Sequence, residues 1–120
     1  MKHNYRQLDV WRRAIDFVTE IYRLSQKFPK EEQFGLTSQI RRAAVSISLN
    51  IAEGSGASSN AEFVRFLEIA RRSAYEVMTA LEIAEKLKYL LPNEKEKLTK
   101  EADEISAMLT GLIKSMHHSR

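Results

Sequence analysis

Between Leu8 and Phe28 the apolar residues Leu8, Trp11, Ile15, Val18 and Tyr22 recur at alternating steps of three and four, which gathers them on one helix face. A second stripe, Ala14, Phe17, Ile21, Leu24 and Phe28, runs beside the first and makes the apolar face wider than one neighbour needs. Pro29 stops this helix, predicted over 8–28. A second helix, over 37–53, carries Leu36, Ile40, Ala43, Ile47 and Ile51; Thr37 or Ser38 can cap its start and Gly54 marks its end. The stretch Gly54 to Asn60 is dense in turn residues, and Ser59 with Glu62 three positions on forms a capping box for a third helix over 60–89. That helix holds Phe63, Leu67, Ala70, Ala74, Val77, Leu81 and Ala84, a heptad seam whose small residues allow close helix approach. After a turn at Leu90–Asn93, a fourth helix over 94–116 shows Leu98, Ala102, Ile105, Leu109, Leu112 and Met116, with Gly111 inside it. No strand pattern competes, so the expected fold is all-α: one antiparallel up-down-up-down four-helix bundle over 1–120.

Some apolar residues lie off these seams. On the second helix they are Val45, Leu49 and Ala52, and on the third Phe66 and Ile69. Either the two helices are central and contact neighbours on both sides, or these five residues form a subunit interface, since large apolar patches rarely stay exposed on monomers. Ser46, Asn50 and Glu53 form a polar stripe on the second helix, which is either a hydrogen-bonded seam fixing register or a solvated face. Glu53, next to the predicted helix end, opposes the helix dipole and calls for a basic partner; without one it points to function.

A chain of 120 residues fits one core and needs no covalent staples. It has no cysteine, which removes disulfides and thiolate metal sites. No apolar run reaches the roughly 20 residues that span a bilayer. Lys2 and Arg6 are not followed by an apolar segment of the signal-peptide kind, so a cytoplasmic location is expected. The formal charge of +3 permits an anionic partner without requiring one. Its distribution is more informative. Up to Arg72 the basic residues outnumber the acids, counting Lys2, Arg6, Arg12, Arg13, Arg23, Lys27 and Lys30 with the arginines of the next two helices, whereas beyond Arg72 the signs nearly balance.

Two arginine doublets, Arg41 with Arg42 and Arg71 with Arg72, lie on adjacent helices, and Arg65 stands about two turns before Arg72. Together they are the candidate phosphate-binding set. The competing arrangement is pairing of Arg65 and Arg72 with Glu68, and of Arg72 with Glu76, at salt-bridge spacings. No aromatic is interleaved with the arginines along the chain in the manner of single-strand binders. His3, His117 and His118 sit at the ends and are expected to be solvated. No helical Glu–His pairs, nucleophile elbow or phosphate loop occurs, so neither catalytic residues, metal nor cofactor is expected, and the chain reads as a binding module rather than an enzyme.

The segments QIRRAAVSISLNIAEG, from Gln39 to Gly54, and EFVRFLEIARRSAYEVMTALEIAEKL, from Glu62 to Leu87, resemble the family of four helix bundle proteins also called 23S ribosomal RNA intervening-sequence proteins. The resemblance extends to YRQLDVWRRAIDFVTEIYRL, from Tyr5 to Leu24, and NIAEG is its most specific part. It implies a bundle assembled as a homopentamer and a place among nucleic-acid or ribonucleoprotein accessory proteins; distant relatives serve diversity-generating retroelements. The alternative is a scaffold ring that binds a protein partner without nucleic acid. The family commonly has proline where Ser48 stands, an aromatic where Ser55 stands, and basic residues where Ala57, Ser58, Asn60 and Ala61 stand. Any affinity for RNA or DNA must then come from Arg41, Arg42, Arg65, Arg71 and Arg72.

Overall fold

The computed structural model describes residues 3–118, with only the backbone of His118; Lys2 of the basic set and the His118 side chain lie outside what is described. The described residues form four long helices, α1 (Asp9–Ser25), α2 (Leu36–Ser55), α3 (Asn60–Lys86) and α4 (Pro92–His118), and two short 3-10 turns, Tyr5–Gln7 and Lys30–Glu32. Each helix packs on its two neighbours around a square, with α1 closing against α4. Polar contacts record the antiparallel order. The His3 amide and the Arg41 side chain, near opposite ends of the α1–α2 seam, bond to Ser55 and Ser25; Ser73 of α3 meets Ser46 of α2; Arg71 and Lys95 tie α3 to α4 through Thr110 and Glu82; Arg13 and Lys27 reach Glu104 and Glu94 of α4. The fold is the all-α four-helix bundle that the periodicity predicts.

The α3 seam is buried at each of its seven predicted positions, and on α2 Ile40, Ala43, Ile47 and Ile51 join it. On α1 the buried stripe is the second one. Ala14, Phe17 and Ile21 are fully enclosed, while Trp11, Ile15 and Val18 are half-buried and Tyr22 is exposed. Ala14 lets a neighbour approach closely, whereas the large amphipathic rings of Trp11 and Tyr22 settle at the margin.

Several helix ends differ from expectation, including those assigned to Pro29 and Gly54. α1 stops at Ser25, its last turn tightened by Gln26, Lys27 and Phe28 amides bonding three residues back; Phe28 then folds inward onto Tyr89, ring centres 5.6 Å apart. α3 stops after Lys86 because Lys88 adopts a left-handed conformation, φ 65°, and the Tyr89 amide reaches back to the Ala84 carbonyl at 2.8 Å. α2 starts at Leu36, capped neither by Thr37 nor Ser38: Glu32 Oε1 accepts the Leu36 amide at 3.0 Å. Ser59 does cap α3, accepting the Glu62 amide at 3.2 Å, although the Glu62 carboxylate reaches the Ser58 amide rather than that of Ser59.

Gly54 requires the clearest correction. It does not end α2; the helix runs through it to Ser55, and no glycine among the described residues has positive φ. Gly54 is buried where α2 meets α3, and a Cβ there would lie 2.7 Å from Phe66 Cβ and 2.8 Å from the Phe63 ring. The residue is glycine because two helix backbones meet, not because a turn needs one. Further back along α2, Ser73 donates to Ser46 Oγ at 2.9 Å and Asn50 Nδ2 donates to the Ser46 carbonyl at 2.8 Å, so the polar stripe is in part an interhelical seam. Glu53 is exposed, and its carboxylate makes no hydrogen bond or ion pair among the described residues. The terminal histidines also divide: His117 is exposed, but His3 is not solvated as expected, since its ring packs 5.0 Å from Phe63 with Nε2 buried and its amide donates to the Ser55 carbonyl.

Candidate nucleic-acid interface

The five candidate arginines are held in two ways. Arg41 is half-buried on the α1 side: Nε donates to Ser25 Oγ at 2.8 Å, a terminal nitrogen donates to the Tyr22 carbonyl at 3.1 Å, and Cζ lies 4.6 Å from the Tyr22 ring centre. Arg71 turns the other way, to Thr110 Oγ1 of α4 at 3.0 Å. Both are fixed by neutral acceptors, so packing uses some of their five N–H donors without cancelling their charge. Arg41 therefore turns toward α1 and Arg71 toward α4, so the half-buried members of the two doublets face opposite flanks of the bundle. Arg42, Arg65 and Arg72 are exposed, and their side chains make no hydrogen bond or ion pair among the described residues. The pairs that spacing permits with Glu68 and Glu76 are not formed. Such surface pairs contribute only about 0.3–0.5 kcal/mol each and are readily given up.

The α1 arginines behave differently. Arg12 pairs with Asp9, Arg13 with Glu104 at 2.6 Å and Arg23 with Glu20 at 2.6 Å, so their charge is locally matched. Apart from Arg6, which lies over the Tyr5 ring, the guanidinium groups without an acidic partner among the described residues thus collect on α2 and α3. Arg42, Leu49 and Glu53 follow one outward line of α2, and Arg65, Ile69, Arg72, Glu76 and Ile83 one outward line of α3. Arg72 also borders a groove of about 590 Å³ whose other lining includes Leu36, Gln39, Tyr75 and Ile83. Of the five candidate interface residues, Leu49 and Ile69 are exposed at 56% and 37%, whereas Val45, Ala52 and Phe66 are half-buried, Phe66 partly through its contact with Gly54.

Sequence reasoning missed two aromatic residues. A groove of about 410 Å³ brings Tyr22 and Phe34 together with Arg41 and Arg42, although these residues come from α1, the α1–α2 connection and α2. Phe34 is 91% exposed, which is unusual for a ring in a well-bonded segment. The segment is held by amides of Glu32, Gln33 and Gly35 donating to the carbonyls of Pro29, Lys30 and Glu32. Glu32 anchors it further, accepting from the Leu36 amide and from Tyr89 Oη at 2.9 Å. A signal was available in the sequence: Phe34 belongs to no helical stripe, standing alone in a polar run.

These bonds, the Leu36 amide first and the Tyr89 hydroxyl second, hold the Glu32 carboxyl below the ordinary glutamate range, and the bond to Glu32 pushes the Tyr89 hydroxyl up. A depressed carboxyl stabilises the fold fully above its unfolded pKa, and that contribution is lost as pH falls through the folded value. A Glu32→Gln variant is therefore expected to be less stable than wild type at neutral pH and to converge with it in acid. Thermal melts across pH 3–7 check this; a constant difference between the two proteins would rule it out.

Among the described residues no group of three or more His, Asp or Glu side chains could hold a metal ion, and no helix is long and apolar enough to cross a membrane. The comparisons with known proteins agree with the fold. Residues 6–111 match the sequence profile of the 23S rRNA-intervening sequence proteins. A crystal structure of a protein of unknown function from the S23 ribosomal protein family of Bacteroides thetaiotaomicron is similar, with 29% identity and a TM-score of 0.79, over 88% of this chain and 98% of that one. No functionally curated protein matches the chain.

Proposed function

From the premise that this chain belongs to the family of 23S rRNA-intervening sequence proteins, we propose that it is a non-enzymatic, oligomeric nucleic-acid-binding module, an accessory protein of ribonucleoprotein or related assemblies in the cytoplasm. The observation that carries this reading is the contrast between the matched arginines of α1 and the unmatched Arg42, Arg65 and Arg72. Arg41 and Arg71, fixed by neutral acceptors, add two oriented charges. Guanidinium groups arranged this way take up phosphates without regard to sequence, and the affinity falls steeply with salt.

Assembly belongs to the same proposal. Leu49, Ile69, Tyr75, Ile83 and Leu91 leave a large share of apolar surface in water, which copies of the chain can cover as a homopentamer. The exposed apolar residues and unpaired Glu53 also favour a second reading, a scaffold ring that holds a protein partner. Light scattering fixes the mass of the assembly, and a salt series of RNA and DNA binding decides between the two readings. Binding that weakens as salt rises supports the nucleic-acid module; a stable multimer without such binding leaves the scaffold.

A further inference from the structure

The geometry points to the groove between α1, the α1–α2 connection and α2 as a site for one unpaired nucleotide of a single-stranded nucleic acid, with its base stacked on Phe34 and its phosphate on Arg42. This deepens the function proposed above and rests on it. A base in a duplex has no free face to offer an isolated ring, whereas an unpaired base has two. Phe34 offers such a ring at 91% exposure, on a segment whose backbone is fixed by its own hydrogen bonds and by Glu32. Little ordering is then left to be done when a ligand arrives.

The charge around the ring selects the ligand. Arg41 is immobilised by Ser25 Oγ, the Tyr22 carbonyl and the Tyr22 ring, and Arg42 beside it is free. An adjoining hollow of about 290 Å³ shares Gln33, Thr37 and Arg41 with the groove and adds Lys30. Among the described residues no carboxylate lines either space. Glu32, in the same segment, is turned away to Leu36 and Tyr89. Aromatic surface, two arginines and a lysine without an opposing acid form the combination that single-strand binders use, and it is assembled here only by the tertiary fold.

The test compares a short labelled RNA strand, the same strand annealed to its complement, and the matching DNA strand, each titrated with the full chain. For Phe34→Ala the expected result is single-strand binding weaker by roughly 5- to 100-fold, an unchanged salt slope and unchanged duplex binding. Phe34→Trp, which keeps a stacking face, restores the single strand. Arg42→Ala weakens strand and duplex alike and flattens the salt slope by about 0.7–0.9. RNA and DNA strands respond alike, because stacking and phosphate contact need no 2′-hydroxyl. If wild type binds with normal salt dependence and Phe34→Ala changes nothing, the groove is not a base platform while the broader function stands. If wild type binds no nucleic acid at all, both fall together. A drop in the mass of the assembly on Phe34→Ala would overturn the site by making Phe34 a contact between copies.

Discussion

Replacing Arg42, Arg65 and Arg72 together with glutamate is expected to abolish salt-sensitive RNA binding while leaving the helical content and the melting midpoint nearly unchanged. All three side chains are exposed and bonded to nothing among the described residues, so their removal breaks no packing and leaves no partner unsatisfied. Each arginine bound to a phosphate of a single strand adds a salt slope of about 0.7, which between 1 M and 0.1 M salt corresponds to roughly a fivefold gain in affinity. Removing all three amounts to about 125-fold at 0.1 M, before the repulsion from the new carboxylates is added. The control is the same change at Arg12, Arg13 and Arg23, which are matched by Asp9, Glu104 and Glu20. It should reduce binding far less for the same change in net charge. Equal effects of the two triple variants would mean that net charge, not the α2–α3 side, sets the affinity.

The second large effect is structural. Gly54→Leu is expected to prevent α2 and α3 from closing, leaving a chain that does not fold cooperatively. A Cβ at this position already lies 2.7 Å from Phe66 Cβ and 2.8 Å from the Phe63 ring, and Phe63 is 2% exposed, so the ring has nowhere to go. Even Gly54→Ala has to shift a helix. Overpacking of this kind costs about 1–3 kcal/mol, against which alanine recovers about 1 kcal/mol of helix propensity. Because a domain of this size is stable by only about 5–15 kcal/mol, alanine should lower the melting midpoint by several degrees. Leucine should remove the cooperative transition altogether. A Gly54→Ala protein more stable than wild type would show that propensity outweighs the clash.

Gly54 also shows how far the sequence can be read. A glycine near the end of a helical pattern is sensibly read as a terminator; only the path of α3 reveals that this one marks a crossing. The seam of α3 is legible because α3 packs on neighbours along its whole length and one stripe has to be buried. On α1 two stripes of similar hydrophobicity stand side by side, and the choice between them depends on where α2 and α4 lie. Lys88 ends α3 without any of the residues that announce an end. The candidate site divides in the same way. The arginines can be named from their positions, but which of them are neutralised depends on pairs such as Arg13 with Glu104, far apart in sequence. Tyr22 and Phe34 cannot be joined to Arg41 and Arg42 by spacing, since three separate segments supply them. His3 departs from expectation because a terminal histidine is usually free, and here it fills a gap beside Phe63.

The most direct test of the central claim is the reactivity of each arginine toward a guanidinium-specific dicarbonyl reagent, read by peptide mass spectrometry with and without a saturating RNA strand at low salt. The predicted result is that Arg42, Arg65 and Arg72 react readily in the free protein and are protected by RNA, while Arg12 and Arg23 on α1 react equally in both samples. Protection of the α1 arginines instead, or no difference at any arginine, would contradict the assignment of nucleic-acid binding to the α2–α3 side of the bundle.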